Sequence, residues 1–262
     1  MKIPFYKFDG AGNDFILIDA RQHDPQLSQE AIASLCHRRF GIGADGLMTL
    51  HDASSDFDFE MRYYNSDGRP AEMCGNGGRC IAVFAHLLGV KGGEKELHFL
   101  APDGPHDAQI LSWDSQSRRG MVCLGMKDVA KAEIRPVQDG TLLNTGVPHY
   151  VQQVKELSHF DVEGEGRRIR HLPDLGPQGA NVNFVEPLPN GTLQVRTYER
   201  GVEGETWSCG TGVTACAIVT GHEQIATAGG DFRVTYTETP MAYTHVQLTG
   251  PVSFNFKGEF YL

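Results

Sequence analysis

The chain has 262 residues, of which 40% are hydrophobic, and it carries a formal net charge of −10. This composition supports a globular core of one large domain or two small ones, and the acidic balance excludes the basic footprint of a nucleic-acid-binding protein. The amino terminus lacks the apolar core of a signal peptide, and no apolar run approaches the ~20 residues of a membrane span. We therefore expect a cytoplasmic protein with no nucleic-acid partner and no membrane partner.

The first half of the chain is rich in strand patterns and contains two helical patterns. Polar caps and glycines mark the helix ends, and alternation of polar and apolar residues marks the strands. The predicted elements are strands Ile3–Asp9 and Phe15–Asp19, a helix from Ser28 to Gly41, a strand within DFEMRYYNSDGRP, a helix from near Gly77 to Gly89, and short strands to about Cys123.

The second half repeats this order of elements. Its predicted elements are strands over Thr141–Val154, a helical piece at Arg167–Leu172, strands in ANVNFVEP and TLQVRTYER, a helix from near Gly212 through VTACAIVTGHEQIATAGG, and two or three strands to the end of the chain.

Each half also contains the motif Cys-Gly-x-Gly directly before its second helix. In the first half Cys74 follows a strand that ends in YYN, and in the second half Cys209 follows a strand that ends in YER. Each motif cysteine has another cysteine within the following helix, Cys80 and Cys216 respectively. Because strand, acidic residue, motif and helix recur in the same order, we interpret the halves as a diverged internal duplication.

A cysteine at a helix amino terminus faces backbone N–H groups and the positive end of the helix dipole. This setting favours the thiolate and predicts a lowered cysteine pKa. The glycines allow close backbone approach to a ligand, and the N–H groups can bind a carboxylate. Two such thiols facing one carbon could remove a proton from one side and return one to the other, which inverts a stereocentre.

Other interpretations of these cysteines remain open at this point. Each motif cysteine alone could be a small buried hydrophobic residue, as we expect for Cys36, Cys80, Cys123 and Cys216. The spacings do not fit a zinc site or a C-x-x-C redox pair, and GNGG does not follow the dinucleotide-binding pattern. A cysteine phosphatase loop, closed by Arg79, is the nearest alternative enzyme class. A non-catalytic carboxylate-binding protein with the same amide loops is another alternative.

Further polar stretches have the appearance of binding sites. Asn13 lies in GAGNDF, His149 lies in NTGVPHYV, and GANVNF carries Asn181 and Asn183; each is also compatible with ordinary turn chemistry. In YERGVEGET, Glu199 and Arg200 are adjacent at a strand end, so their side chains should diverge. One could then meet an ammonium group and the other a carboxylate.

Taken together, the segments GAGNDF, FGIGADGL, YNSDGRPAEMCGNGGRC, NTGVPH, GANVNF and YERGVEGETWSCGTG resemble the successive motifs of the diaminopimelate epimerase family. The resemblance spans nearly the whole chain. Proline racemase-like proteins are similar, but they usually have His after Cys-Gly in the first loop, where this chain has Asn76. An isomerase of another amino acid, such as proline or hydroxyproline, is the alternative within the same fold.

The resemblance implies an isomerase that interconverts LL- and meso-2,6-diaminopimelate without pyridoxal phosphate or another cofactor and without a metal, in bacterial lysine and peptidoglycan precursor synthesis. It implies that Cys74 and Cys209 are the acid/base thiols, supported by His149 and Glu199. The substrate-binding positions that it implies are Asn13, Asn65, Gly75, Asn76, Asn181, Glu199, Arg200, Gly210 and Thr211.

The resemblance also implies an α+β fold of two pseudo-symmetric lobes, each a mainly antiparallel curved sheet around a central helix. We expect the first lobe, with Cys74, at residues 1–115 plus a C-terminal strand at 251–262. The second lobe, with Cys209, is expected at residues 116–250. The lobes close over the small amino-acid substrate, and the family commonly forms homodimers. Gly46 and Val147 stand where some members have substrate-contacting Gln and Asn, so those two contacts are not carried over.

Overall fold

A computed structural model describes residues 2–54, 56–72 and 74–261 of the chain. The chain divides into two compact units, one of Met1–Leu124 with Gly250–Leu262 and one of Gly125–Thr249. Met1 and Leu262, which delimit the expected first lobe, lie outside the described residues. Within the described part of the chain, no helix is long and apolar enough to cross a membrane.

The described residues of the first unit include two α-helices and eight strands, the last of which is shared in sequence with the second unit. Its elements are β1 (Lys2–Gly10), β2 (Asn13–Asp19), α1 (Gln29–Cys36), β3 (Gly46–His51), β4 (Phe59–Asn65), α2 (Gly75–Leu87), β5 (Glu96–Ala101), β6 (Gly104–Asp114), β7 (Arg119–Gly125) and residues 250–261 of β17 (Ala242–Tyr261).

Strand pairing in this unit closes a ring around α2. Strands β1 to β7 pair in sequence order, β7 pairs with β17, and β17 pairs with β1. Among these pairs of described strands, β2–β3 and β4–β5 are parallel and the others are antiparallel. The residues Cys80 to Ala85 of α2 are completely buried, and the helix contacts β1, β2, β3 and β6. The ring of strands therefore encloses the helix that Cys74 precedes.

The second unit is built in the same way around its own helix. Its elements are β8 (Val129–Ala130), β9 (Arg135–Val137), β10 (Gly140–Asn144), β11 (Pro148–Gln153), α3 (Val162–Arg170), β12 (Asn181–Pro187), β13 (Leu193–Glu199), β14 (Gly204–Thr206), α4 (Gly210–Thr220), β15 (Gln224–Thr227), β16 (Gly230–Glu238) and residues 242–249 of β17.

The pairings in the second unit repeat those of the first. In each unit an antiparallel pair is followed by a helix and then by a parallel pairing, β2–β3 in one and β11–β12 in the other. An antiparallel pair and the buried central helix follow, and a second parallel pairing, β4–β5 or β13–β15, comes after that helix. The predicted α+β fold of two pseudo-symmetric lobes, each with a mainly antiparallel sheet around a central helix, is thereby confirmed.

Several predicted helix ends differ from the structure. Helices α2 and α4 begin at Gly75 and Gly210, two residues before the predicted starts, because their first turns are rich in glycine, a poor helix former. The prediction that the last helix continues through EQIATAGG is wrong. Gly221 ends α4 in a left-handed conformation with φ of 74°, and β15 follows. Helix α1 ends at Cys36 rather than at Gly41, although its predicted Ser28 cap is confirmed.

Three of the four cysteines outside the two motifs are buried, as the sequence indicates, whereas the expected burial of Cys123 is wrong. Cys36, Cys80 and Cys216 are buried, and burial raises the pKa of the Cys36 thiol to about 11. Cys123, in β7, is partly exposed.

We expect Phe84→Ala to lower the free energy of unfolding by about 3–5 kcal/mol, because the lost ring leaves a cavity in a well-packed core. Phe84 is 0% exposed in α2, with its ring centroid 4.9 Å from that of Tyr6. Urea denaturation measures the change. Phe40→Ala is the control, because Phe40 is 86% exposed and its loss should change stability by less than about 0.5 kcal/mol. Equal effects of the two substitutions would contradict the enclosed-helix packing.

Candidate active site

Cys74 occupies the N-cap position of α2. Its backbone is extended, and its Sγ accepts a hydrogen bond of 3.2 Å from the backbone N–H of Gly77. A side chain on Gly77 would place its Cβ 3.3 Å from this sulfur and 3.2 Å from the sulfur of Met48, so glycine keeps the first turn of α2 close to the thiol. The structure thus places Cys74 at a helix amino terminus, as predicted.

Asn13 presents its carbonyl oxygen to this thiol. The Cys74 Sγ lies 3.9 Å from Asn13 Oδ1, the distance of a weak S–H···O hydrogen bond. The amide of Asn13 is oriented from its other side, because Asn13 Nδ2 donates to the carboxylate of Asp45 at 2.5 Å. The sequence motif GIGADG therefore contributes Asp45 to the site, a residue that sequence reasoning did not select.

Asp45 belongs to a small cluster of charged side chains next to Asn13. Arg38 donates to the carboxylates of both Asp14 and Asp45, and the buried Lys7 forms an ion pair with Asp14. Burial alone would raise the pKa of Asp14, but hydrogen bonds from Arg38 and Lys7 outweigh it and hold that pKa at about 2. Asp14 is consequently charged at neutral pH, and Arg38, which binds it, also holds Asp45, the acceptor that orients Asn13.

Gly75 and Asn76 form the first turn of α2, and both are buried. The guanidinium of the buried Arg79 turns back onto this turn, donating to Gly75 O at 3.0 Å and to Asn76 Oδ1 at 2.8 Å. Burial lowers the pKa of Arg79 to about 10, so it remains charged at neutral pH. Because Arg79 supports the turn from inside, it does not close an anion loop as a phosphatase arginine would, and the phosphatase alternative is not supported.

Asn65, the remaining site residue predicted in this unit, is exposed at the end of β4. Its backbone closes a turn, accepting from Gly68 N and donating to Arg69 O. Asn65 pairs across the sheet with Gly46 of β3. A Cβ on Gly46 would lie 2.5 Å from the ring of Tyr63, so the ring of Tyr63 takes the space that a side chain at position 46 would need.

The second unit brings its predicted site residues together around the start of α4. His149 is the second residue of β11, Asn181 begins β12, and Glu199 ends β13. Asn181 Oδ1 accepts from the backbone N–H of Arg200 at 2.8 Å, while the Arg200 guanidinium extends towards Gln178. The adjacent side chains of Glu199 and Arg200 diverge, as predicted.

Cys209 occupies the position before α4 that corresponds to Cys74 before α2. Its thiol is only partly exposed and lies 3.5 Å from the hydroxyl of Thr211. Loss of water around the sulfur raises the pKa of Cys209 well above its ordinary value, and the charge of Glu199 raises it further. The expectation of a lowered cysteine pKa is therefore wrong for Cys209: burial and a neighbouring carboxylate outweigh the helix terminus.

His149 is a neutral imidazole in this setting. It is 0% exposed, and burial followed by the positive charge of Arg200 lowers its pKa to about 3. Its Nε2 lies 2.9 Å from the hydroxyl of Thr211, which in turn neighbours the sulfur of Cys209. His149 is thus linked to the thiol through one hydroxyl group.

Glycines at the start of α4 make this close packing possible. Gly210 and Gly212 are both buried, and a Cβ on Gly212 would lie 2.4 Å from Asn183 Oδ1 and 3.3 Å from the His149 ring. Any side chain at position 212 would separate the helix from the buried His149 and Asn183. The packing of the site therefore requires glycine at position 212, the second glycine of the CGTG motif.

Sequence reasoning missed several supporting residues in this unit. Thr206 donates to Glu199 Oε1 at 2.7 Å, and Thr145 donates to the backbone oxygen of Thr211 at 2.8 Å. Asn183 was visible in GANVNF, but its role depends on buried contacts that no local pattern reveals. These residues hold the side chains around Cys209 rather than completing a motif of their own.

The sequence matches one protein family over most of its length. A family model described as diaminopimelate epimerase matches residues 5–123 and 141–253. The chain is 44% identical over 261 residues to a protein of Flavobacterium psychrophilum named diaminopimelate epimerase, and the match covers 96% of this chain and 98% of that protein.

Two solved structures share the fold at low sequence identity. A phenazine biosynthesis protein of the PhzF family from Bacillus anthracis has a TM-score of 0.74 at 14% identity, with each chain covered completely. A probable proline racemase from Agrobacterium radiobacter has a TM-score of 0.71 at 16% identity, covering 99% of this chain and 93% of that one. At these identities the likeness establishes the fold alone.

The buried neutral His149 predicts a pH dependence of stability. Between pH 6.5, the ordinary histidine pKa, and its lowered value of about 3, the unfolded chain binds a proton that the folded chain does not. This difference makes stability fall as pH decreases, by up to about 1.4 kcal/mol per pH unit. We expect His149→Gln to reduce that slope in urea titrations between about pH 6 and 4.5, above the range in which Asp14 titrates.

The control for this measurement is His171→Gln, because His171 is exposed. It should keep the slope of the unaltered protein. If His149→Gln keeps that slope as well, His149 is not held neutral by the fold.

Proposed function

The chain belongs to the diaminopimelate epimerase family, and on this basis we propose that it interconverts LL- and meso-2,6-diaminopimelate without a cofactor, using one thiol from each unit. The observation that carries the two-thiol proposal is the repeated placement of a cysteine at the amino terminus of each enclosed central helix, Cys74 before α2 and Cys209 before α4. Two copies of one catalytic element match a reaction that needs a proton removed from one face and supplied to the other.

Breaking the α-carbon–hydrogen bond is the difficult step. One thiolate accepts the proton, and the electron pair stays on a carbanion conjugated with the adjacent carboxylate. Backbone N–H groups at the starts of α2 and α4 are suited to bind that carboxylate and stabilise its growing negative charge. The opposite thiol then donates its proton to the carbon, which inverts the stereocentre.

The two thiols have different surroundings that suit these roles. Cys209 has a raised pKa, so at neutral pH it holds its proton and is ready to donate it. In the reverse direction Cys209 must lose that proton, against the raising effects of burial and of the Glu199 carboxylate on its pKa. Cys74 receives the N–H of Gly77 on its sulfur, an interaction that stabilises a thiolate.

We assign substrate recognition to polar residues of each unit. Asn13 and Asn65 with the first turn of α2 supply groups in one unit, and Asn181, Arg200 and the first turn of α4 supply groups in the other. Diaminopimelate carries an ammonium and a carboxylate at its distal end as well. A shorter amino acid would leave buried polar groups unpaired, which disfavours it by a few kcal/mol, roughly.

We further propose that the protein acts in the cytoplasm, in bacterial lysine and peptidoglycan precursor synthesis, and that it forms a homodimer. The family membership supports both the pathway and the location.

The test is to incubate the reduced protein with LL-diaminopimelate in D2O and to follow the α-proton signal by NMR, with chiral chromatography of the product. We expect the meso isomer to appear with deuterium at the inverted carbon. Proline and trans-4-hydroxyproline, treated identically, should show neither exchange nor inversion. If proline is inverted and diaminopimelate is not, the substrate assignment is wrong. If no amino acid exchanges its α-proton, the enzyme assignment is wrong and the alternative of a non-catalytic carboxylate-binding protein takes its place.

A further inference from the structure

The buried His149 has a polar neighbour at each ring nitrogen. Nδ1 lies 3.1 Å from Asn183 Nδ2, and Nε2 lies 2.9 Å from the hydroxyl oxygen of Thr211. A neutral imidazole donates from one nitrogen and accepts at the other. Which nitrogen carries the hydrogen therefore decides whether His149 gives a hydrogen bond to Thr211 or takes one from it.

The orientation of the Asn183 amide answers this question, because its contact with a backbone carbonyl oxygen fixes it. Asn183 Nδ2 donates to the backbone oxygen of Tyr150 at 3.0 Å, and Asn183 Oδ1 accepts from the hydroxyl of Thr197 at 3.0 Å. Turning the amide over would set Oδ1 against the carbonyl oxygen of Tyr150. Asn183 is 0% exposed and Thr197 is 3% exposed, so water cannot relieve that repulsion.

The amide nitrogen of Asn183 is consequently the group that faces Nδ1 of His149. Nδ1 must accept, and the ring hydrogen lies on Nε2, where it donates to Thr211 Oγ1. Asn181 Nδ2 also lies 3.5 Å from Nε2, a contact too long to compete with the 2.9 Å contact of Thr211.

This direction of donation frees the hydrogen of the Thr211 hydroxyl. If His149 accepted at Nε2, that hydrogen would be committed to the ring. Because His149 donates instead, the hydroxyl can turn its hydrogen towards the sulfur of Cys209, 3.5 Å away. Asn183 therefore donates to His149, His149 donates to Thr211, and Thr211 donates to the sulfur of Cys209. We call this sequence of hydrogen bonds the donor series.

We propose that Asn183 is a positioning residue that fixes His149 as a neutral donor and thereby aims the Thr211 hydroxyl at Cys209, stabilising the thiolate whenever Cys209 gives up its proton. The catalytic meaning of that thiolate rests on the proposed function, whereas the tautomer of His149 and the stabilisation of the sulfur do not. His149 on this account acts without changing its own protonation state.

The charges around the series are consistent with this role. Glu199, at the end of β13, faces Cys209 and opposes the thiolate, so a compensating donor is needed for the sulfur to lose its proton. The positive charge of Arg200 opposes a charged imidazole at His149. The neutral donor series therefore acts near a carboxylate that disfavours the thiolate and a guanidinium that disfavours the imidazolium.

The first measurement is long-range ¹H–¹⁵N NMR of the histidine rings, with His149 assigned by comparison with His149→Gln. We expect the unaltered protein to give the pattern of a neutral ring protonated at Nε2. We expect Asn183→Asp, which offers only acceptors to Nδ1, to move the hydrogen to Nδ1. A ring already protonated at Nδ1 in the unaltered protein would overturn the proposal, and this result requires no variant of Asn183 to fold.

The second measurement is the pH dependence of Cys209 alkylation by iodoacetamide in a Cys74→Ala background, followed by mass spectrometry of the Cys209 peptide. We expect Thr211→Val to raise the apparent pKa of this reaction by about one to two units, since it removes a hydrogen bond to a charged sulfur. Thr211→Ser should restore the original profile. Thr220→Val is the matched control, because the Thr220 hydroxyl bonds only the far end of α4, at Cys216 O.

An unchanged profile in Thr211→Val would refute the donor series at its last step. Because neither measurement uses diaminopimelate, failure of the proposed function and failure of this proposal give different results. A protein that passes both measurements but does not epimerise would keep the donor series and lose the substrate assignment.

Discussion

Burial of a glycine-started helix among the strands of its own unit is the constraint on which both halves of this structure depend. The residues of α2 from Cys80 to Ala85 are fully buried, and α4 is similarly buried from Gly212 to Ala217. A helix held on all sides cannot shift or tilt without breaking the packing of several strands at once. Its first turn, and the cysteine that precedes it, are therefore fixed by the core of the unit rather than by a surface loop.

The glycines then determine how close the rest of each site can come. At Gly77 the sulfur of Cys74 and Met48 are within van der Waals reach of the missing Cβ, and at Gly212 the amide of Asn183 would collide with one. These glycines cost helix propensity, about 1 kcal/mol each relative to alanine. The close packing that these glycines permit offsets this cost, because it holds backbone N–H groups, a thiol and neutral polar side chains together away from water.

Much of the fold and part of the site follow from the sequence, for identifiable reasons. The duplication and the positions of Cys74 and Cys209 at helix starts are predictable because Cys-Gly-x-Gly recurs after a strand in both halves. The exact helix starts are not predictable, because glycine is a poor helix former and helix propensity therefore places the start after the glycines of the first turn. The raised pKa of Cys209 is not predictable either, since the helix terminus is visible in the sequence whereas burial and the approach of Glu199 are tertiary facts. Asn183 shows the same limit: its pattern resembles turn chemistry, and its contacts with Tyr150, Thr197 and His149 exist only in the fold.

The central claim is that one thiol from each unit acts on a single carbon, and exchange with single-cysteine variants tests it most directly. Cys74→Ala and Cys209→Ala would each be incubated with LL-diaminopimelate and separately with the meso isomer in D2O, beside a Cys123→Ala control from the strand β7. The account predicts that both variants fail to interconvert the isomers while the control retains the rate of the unaltered protein. If either Cys74→Ala or Cys209→Ala still epimerises at the unaltered rate, the two-thiol mechanism is contradicted.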